Sequence, residues 1–158
     1  MVEITAPDVY FVMAFTSDTS SQLHVTFLAH AANINHVPAS TIVDTVTVAV
    51  ADVKSFNLMK SGVAWFGVDN NKPVQTFYET MEASTLHHVL CETAKQNGMV
   101  LNQAEFTGIG FAPHMSLVGK AEAVDVFNVN SLVVSQHVGG FGGPVINYPA
   151  IPLVTSQD

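Results

Sequence analysis

Two tetrapeptides in this chain place a hydroxyl two residues after an imidazole: His24-Val25-Thr26-Phe27 and His114-Met115-Ser116-Leu117. Along an extended strand, residues i and i+2 project to the same face. Each segment therefore sets a titratable ring beside a hydroxyl and turns its apolar residues the other way. Imidazole takes up and releases protons near neutral pH, and a hydroxyl can donate to an oxygen that is gaining charge. Two such pairs facing one cleft supply a base, an acid and two oxyanion donors. Cleavage of a phosphodiester without a metal requires that set.

The flanking sequence supplies strands to carry them. Val9–Phe15 is a β-rich run, and Leu23–Ala29 reads as a strand holding the first pair, after a polar loop over Thr16–Gln22. Phe111–Val118 reads as the strand of the second pair. Further strands are expected at Thr45–Val53, Val63–Val68, Val74–Tyr78 and Ser131–His137, with a helical turn over Pro38–Asp44. One amphipathic helix is expected over Ala83–Asn97, capped by Ser84 or Thr85 and closed by Gly98. The two histidines lie 114 − 24 = 90 residues apart, slightly over half the chain. A single α+β domain over residues 1–158, with the motifs at equivalent positions in two halves, accommodates that spacing.

Composition narrows the ligand. The chain holds five lysine-plus-arginine residues against thirteen acidic ones, for a net charge of −8, and every one of the five is lysine. Long nucleic acids are held by many Lys/Arg–phosphate contacts, and this chain cannot line a broad basic groove. Without arginine there is no bidentate phosphate clamp. A small ligand held by hydroxyls, imidazoles and backbone N–H groups fits better. No apolar run approaches a membrane span, the N-terminus lacks a signal-peptide pattern, and the single Cys91 excludes an intrachain disulfide. A cytoplasmic location is the expectation.

Other histidines and aromatics carry weaker signals. His24, His30 and His36 recur every six residues, but on a strand His24 and His30 lie roughly 20 Å apart, too far for one metal ion. No metal site is expected. His87 and His88 are read as helix-surface residues, and Cys91 as a buried thiol. Tyr10, Trp65, Phe141 and Tyr148 can each stack on a base or pack in the core, and Lys120, four residues beyond Ser116, can reach a phosphate or lie in solvent.

The pairs His24/Thr26 and His114/Ser116 resemble the 2H phosphoesterase superfamily, named for two histidines in His-x-Thr/Ser motifs. The opening at Tyr10–Phe15, the segment Ala112-Pro113-His114-Met115-Ser116-Leu117, and the Ser131–His137 run before a glycine turn and Tyr148 extend the resemblance over most of the chain. That group includes bacterial RNA 2′,3′-cyclic phosphodiesterases (2′-5′ RNA ligase-like proteins), cyclic nucleotide phosphodiesterases, and phage enzymes that degrade cyclic oligonucleotide immune signals.

The resemblance implies a bilobal α+β fold, with two antiparallel β lobes, flanking helices and one motif strand per lobe at a central cleft. It implies hydrolysis of a cyclic phosphodiester in a small nucleotide without a cofactor, with His24, Thr26, His114 and Ser116 catalytic. Tyr10, Trp65, Lys120 and Tyr148 are the substrate-binding candidates. Ligase-like members carry an arginine shortly after the second motif, where this chain has Val118-Gly119-Lys120, and a helix where it has the Thr16–Gln22 loop. Phage-type members are similarly compact, so the resemblance implies the general class and not the ligase-like subgroup, with a phage counter-defence role as one reading within it. A non-catalytic protein that sequesters a cyclic nucleotide is the alternative.

Overall fold

Alternating burial along two neighbouring strands builds the centre of the molecule. In β1 (Val9–Phe15), Tyr10, Val12 and Ala14 are sealed from solvent while their neighbours Val9, Met13 and Phe15 are only half-buried. In β2 (His24–Ala32), Val25 and Phe27 are sealed while His24 and Thr26 are half-buried. A computed structural model describes residues 6–15, 24–66, 72–101, 113–116, 125–140 and 142–155.

The remaining elements are α1 (Ala39–Ala49), β3 (Phe56–Phe66), β4 (Lys72–Phe77), α2 (Met81–Gln96), β5 (Val100–Leu101), β6 (His114–Ser116), β7 (Val126–Val129), β8 (Ser131–His137), β9 (Val145–Asn147) and β10 (Ile151–Pro152). Among the described residues the strands join one sheet in the order β10-β8-β1-β2-β6-β4-β3-β7, with β5 beside β2 and β9 beside β8. Every pairing between these named strands is antiparallel. The fold is the expected α+β class. Its two halves, β1-β2-β8 and β3-β4-β7, run into each other through the pair β2–β6.

Both helices contribute to one core with the strands. Ile42 and Val46 of α1 and Val50, which caps its C-terminal end, recur every four residues, and Ala83, Leu86, Leu90, Cys91 and Ala94 line α2. They meet Tyr10, Val12, Val25, Phe27, Leu58, Met115, Phe127 and Leu132 from the sheet. Burying a side chain of this size contributes roughly 1.5–3 kcal/mol, so this shared layer fixes β2 and β6 relative to each other.

The expected strand over Thr45–Val53 is instead the second half of α1 and the turn after it. The run Thr-Val-Thr-Val-Ala-Val alternates, but Ile42, Val46 and Val50 put the apolar period at four, and those three residues join the shared core. Two threonine hydroxyls also find acceptors within the helix: Thr45 Oγ1 donates to Ile42 O at 2.9 Å and Thr47 Oγ1 to Val43 O at 2.7 Å. The helical turn expected at Pro38–Asp44 is the start of the same helix.

Helix α2 begins two residues earlier than its apolar pattern suggests. Thr80 caps it, its Oγ1 accepting from Ala83 N at 3.1 Å, rather than Ser84 or Thr85. Gly98 ends it in the left-handed region at φ +72°, as its position implied. The strand expected at Val63–Val68 starts earlier, at Phe56, and the segment at Val74–Tyr78 is β4. The loop over Thr16–Gln22 lies outside the described residues. No helix among the described residues is long and apolar enough to cross a membrane.

Candidate functional site

The two motif strands are neighbours. Val25 of β2 pairs with Met115 of β6 in antiparallel register. Both are sealed in the core, at 0% and 1% exposure. One step either side of that pair, the register sets Thr26 across from His114 and His24 across from Ser116. The motif histidines and Thr26 are half-exposed on the side away from the core. The antiparallel pairing makes the arrangement two-fold in pattern, because each histidine faces the hydroxyl-bearing position of the other motif.

The sheet continues this pattern sideways into two rows. Met13 pairs with Thr26, and beyond His114 comes Thr76 and then Gly62. In the second row Phe15 pairs with His24, and beyond Ser116 comes Val74 and then Ala64. The rows are chemically unlike. The Phe15 ring lies 5.3 Å from the His24 ring, tilted by 44°. His114 has a threonine as its neighbour, and the Thr76 hydroxyl is 2.7 Å from the Ser61 hydroxyl.

A β-bulge tunes the first motif. Met13 pairs with Thr26 but Val12 with Leu28, so Phe27 is the extra residue on β2. The carbonyl of Phe27 accepts a hydrogen bond from His87 Nδ1 of α2 at 2.7 Å. Since a carbonyl only accepts, Nδ1 carries the proton. Nε2 is then the acceptor nitrogen, 3.5 Å from the Cys91 thiol. His87 is 3% exposed, against the surface role expected of it, and burial pushes its pKa below the usual imidazole value. Cys91 is buried as expected. A histidine four residues after Ala83 and four before Cys91, both on the apolar face, was the available signal.

Three of the expected ligand contacts sit elsewhere. Tyr10 is 1% exposed and part of the core, so it presents no ring for stacking. Burial, with Tyr148 and Asp8 nearby, raises its hydroxyl pKa to about 12. Tyr148 is half-buried against the core, and its hydroxyl donates to Gln136 Oε1, whose Nε2 donates to Asp8 Oδ2 at 2.6 Å. Asp8 Oδ1 accepts from Gly139 N at 2.9 Å, so this network ties β1 to the turn after β8. Trp65 is 58% exposed, but it follows Ala64, which shares a row with Ser116, and strand alternation turns it to the opposite face. Lys120 and Phe141 lie outside the described residues.

His24, His30 and His36 do not converge, and no group of three potential metal ligands gathers among the described residues. His30 instead packs on Phe11, with ring centroids 4.8 Å apart, and His137 lies on the same ring at 4.7 Å. Burial lowers the pKa of His137.

No protein-family model matches this chain, and no curated protein matches it. Solved structures do. A structure described as a phosphoesterase superposes with a TM-score of 0.64 at 14% identity, over 94% of this chain and 99% of that one. The protein TT0787 of Thermus thermophilus gives 0.62 at 13% identity, over 94% and 100%. E. coli LigT complexed with NADP+ gives 0.59 at 12% identity, over 95% and 99%. The likeness runs nearly end to end in both partners, and by it this chain shares the fold of that phosphoesterase, of TT0787 and of LigT.

Proposed function

We propose that the chain is a phosphodiesterase that hydrolyses a cyclic phosphodiester of a small nucleotide by two-histidine acid–base catalysis. The observation that carries this reading is the register of β2 and β6, in which His24 and Thr26 lie beside His114 and Ser116. The shared fold supports it, as do structures of E. coli LigT complexed with 3′-AMP, with phosphate and with ATP.

In the proposed reaction a neutral imidazole, assigned to His114, takes a proton from water as the water oxygen bonds to phosphorus. The bond from phosphorus to the leaving oxygen breaks in line. That oxygen takes its proton from the imidazolium assigned to His24. The hydroxyls of Thr26 and Ser116 donate to the non-bridging oxygens as their charge rises. No cofactor enters these steps. The net charge of −8 and the absence of arginine favour a compact soluble substrate over a long nucleic acid.

A substrate panel tests the reading. The protein is incubated with EDTA and 2′,3′-cyclic mononucleotides, cyclic dinucleotides or cyclic trinucleotides. Linear phosphomonoester or ring-opened products are expected from at least one class. The cyclic oligonucleotides form the arm that a phage counter-defence enzyme would prefer. Saturable binding without product would replace the enzyme by a nucleotide-sequestering protein.

A further inference from the structure

Thr76 occupies the position next to His114 in the row Thr26–His114–Thr76. Its hydroxyl is 2.7 Å from that of Ser61. Ser61 gets there through a second bulge: Lys60 pairs with Phe77 and Gly62 with Thr76, so Ser61 is the extra residue of β3. A bulge re-aims a side chain that strand alternation would otherwise turn away. Gly62 completes the feature. A Cβ there would meet the Thr76 hydroxyl only at 3.8 Å, so the glycine leaves a shallow notch above the threonine.

Two hydroxyls in contact share one proton between their oxygens, which leaves the other proton and several lone pairs directed outward. We infer that Thr76, steadied by Ser61, is a further substrate-contacting residue of the proposed phosphodiesterase site and receives a sugar hydroxyl of the nucleotide. The chemistry selects that partner. A phosphoryl oxygen only accepts, and Thr26 and Ser116 already offer donors to it in the proposed reaction. A sugar hydroxyl both donates and accepts, as does the Ser61–Thr76 pair. The inference rests on the phosphodiesterase reading for its substrate, and it gives the His114 side of the site the sugar.

The experiment compares the wild type with Thr76→Val, Thr76→Ser and Ser61→Ala on the best nucleotide of the panel and on its analogue lacking one free sugar hydroxyl. Thr76→Val keeps the shape and removes the hydroxyl. One neutral hydrogen bond corresponds to a rise in KM of roughly 3- to 10-fold, with kcat and the pH profile unchanged. Thr76→Ser should recover most of the loss, Ser61→Ala should show part of it, and one deoxy analogue should be indifferent to Thr76→Val. Unchanged KM in Thr76→Val, or an equal loss on every deoxy analogue, overturns the inference and leaves the phosphodiesterase reading intact. If the wild type turns over nothing, that reading fails, and the same variants are compared by equilibrium binding of the same nucleotides. A roughly 3- to 10-fold weaker Kd in Thr76→Val then upholds the Thr76 contact, and an equal Kd overturns it.

Discussion

Val25 and Met115 face each other across the joint between the two halves of the sheet, and both are sealed in the core. That apolar pair sets the register of the chemical groups on the other side. Truncating it should act on both. Met115→Ala is expected to lower unfolding free energy by about 2–5 kcal/mol, the range for a large buried side chain cut to alanine, measured by urea titration. Turnover should fall with it even where the variant remains folded, because the positions of His114 and Ser116 depend on that anchor.

The hydrogen bond from His87 to the Phe27 carbonyl predicts a pH signature. The folded pKa of His87 is lowered by burial, so the unfolded chain binds its proton first as pH falls. The stabilisation is present in full above the unfolded value near 6.5, and it is lost as pH drops below that value toward the folded one. His87→Asn, whose amide nitrogen can replace Nδ1 as donor, should flatten this part of the pH–stability curve and keep most of the stability at pH 8. His87→Leu should flatten it too but cost about 1–3 kcal/mol at pH 8. Equal stability of the two variants at pH 8 would show that this hydrogen bond does not stabilise the fold.

Tyr10 should behave as a core residue. Its hydroxyl has no hydrogen-bond partner among the described residues. Tyr10→Phe is therefore expected to be neutral or stabilising and to leave KM unchanged. The raised pKa gives a second readout. Neutral Tyr10 stabilises the fold in full below the unfolded value near 10, and this contribution is lost as pH rises from there through about 12. Thermal melts between pH 9 and 12 should show a shallower decline in Tyr10→Phe than in the wild type.

Gly98 ends α2 in a left-handed conformation, and a Cβ there would clash with the Asn35 side-chain amide. Gly98→Ala should destabilise by more than about 1 kcal/mol, read from the denaturation midpoint, with the catalytic parameters of the remaining folded protein unchanged.

Legibility in the sequence followed the strength of the local period. The motif strands could be read because His24-Val25-Thr26 and His114-Met115-Ser116 alternate in chemistry as well as hydropathy. β8 could be read from its β-rich run. Thr45–Val53 misled because β-branched residues alternate there while the buried set, Ile42, Val46 and Val50, repeats every four; only packing into the shared core decides between those periods. Tyr10 and Trp65 were misplaced for a related reason. Aromatic type signals stacking ability, but the face a residue occupies depends on register and bulges, which pairing determines. Phe15, Thr76 and Ser61 went unnoticed because each enters the site through a strand partner and not through a motif of its own.

In the proposed reaction His24 and His114 serve one step in one site. The most direct test is steady-state turnover of the best panel substrate by His24→Ala, His114→Ala and the double variant, each checked for folding by its melting curve. Residues acting as a unit lose nearly everything on the first substitution. Each single variant is expected to retain almost no kcat, and the double variant to be no worse than the weaker single one. Substantial turnover in either folded single variant, or losses that multiply as for independent sites, would contradict that shared site.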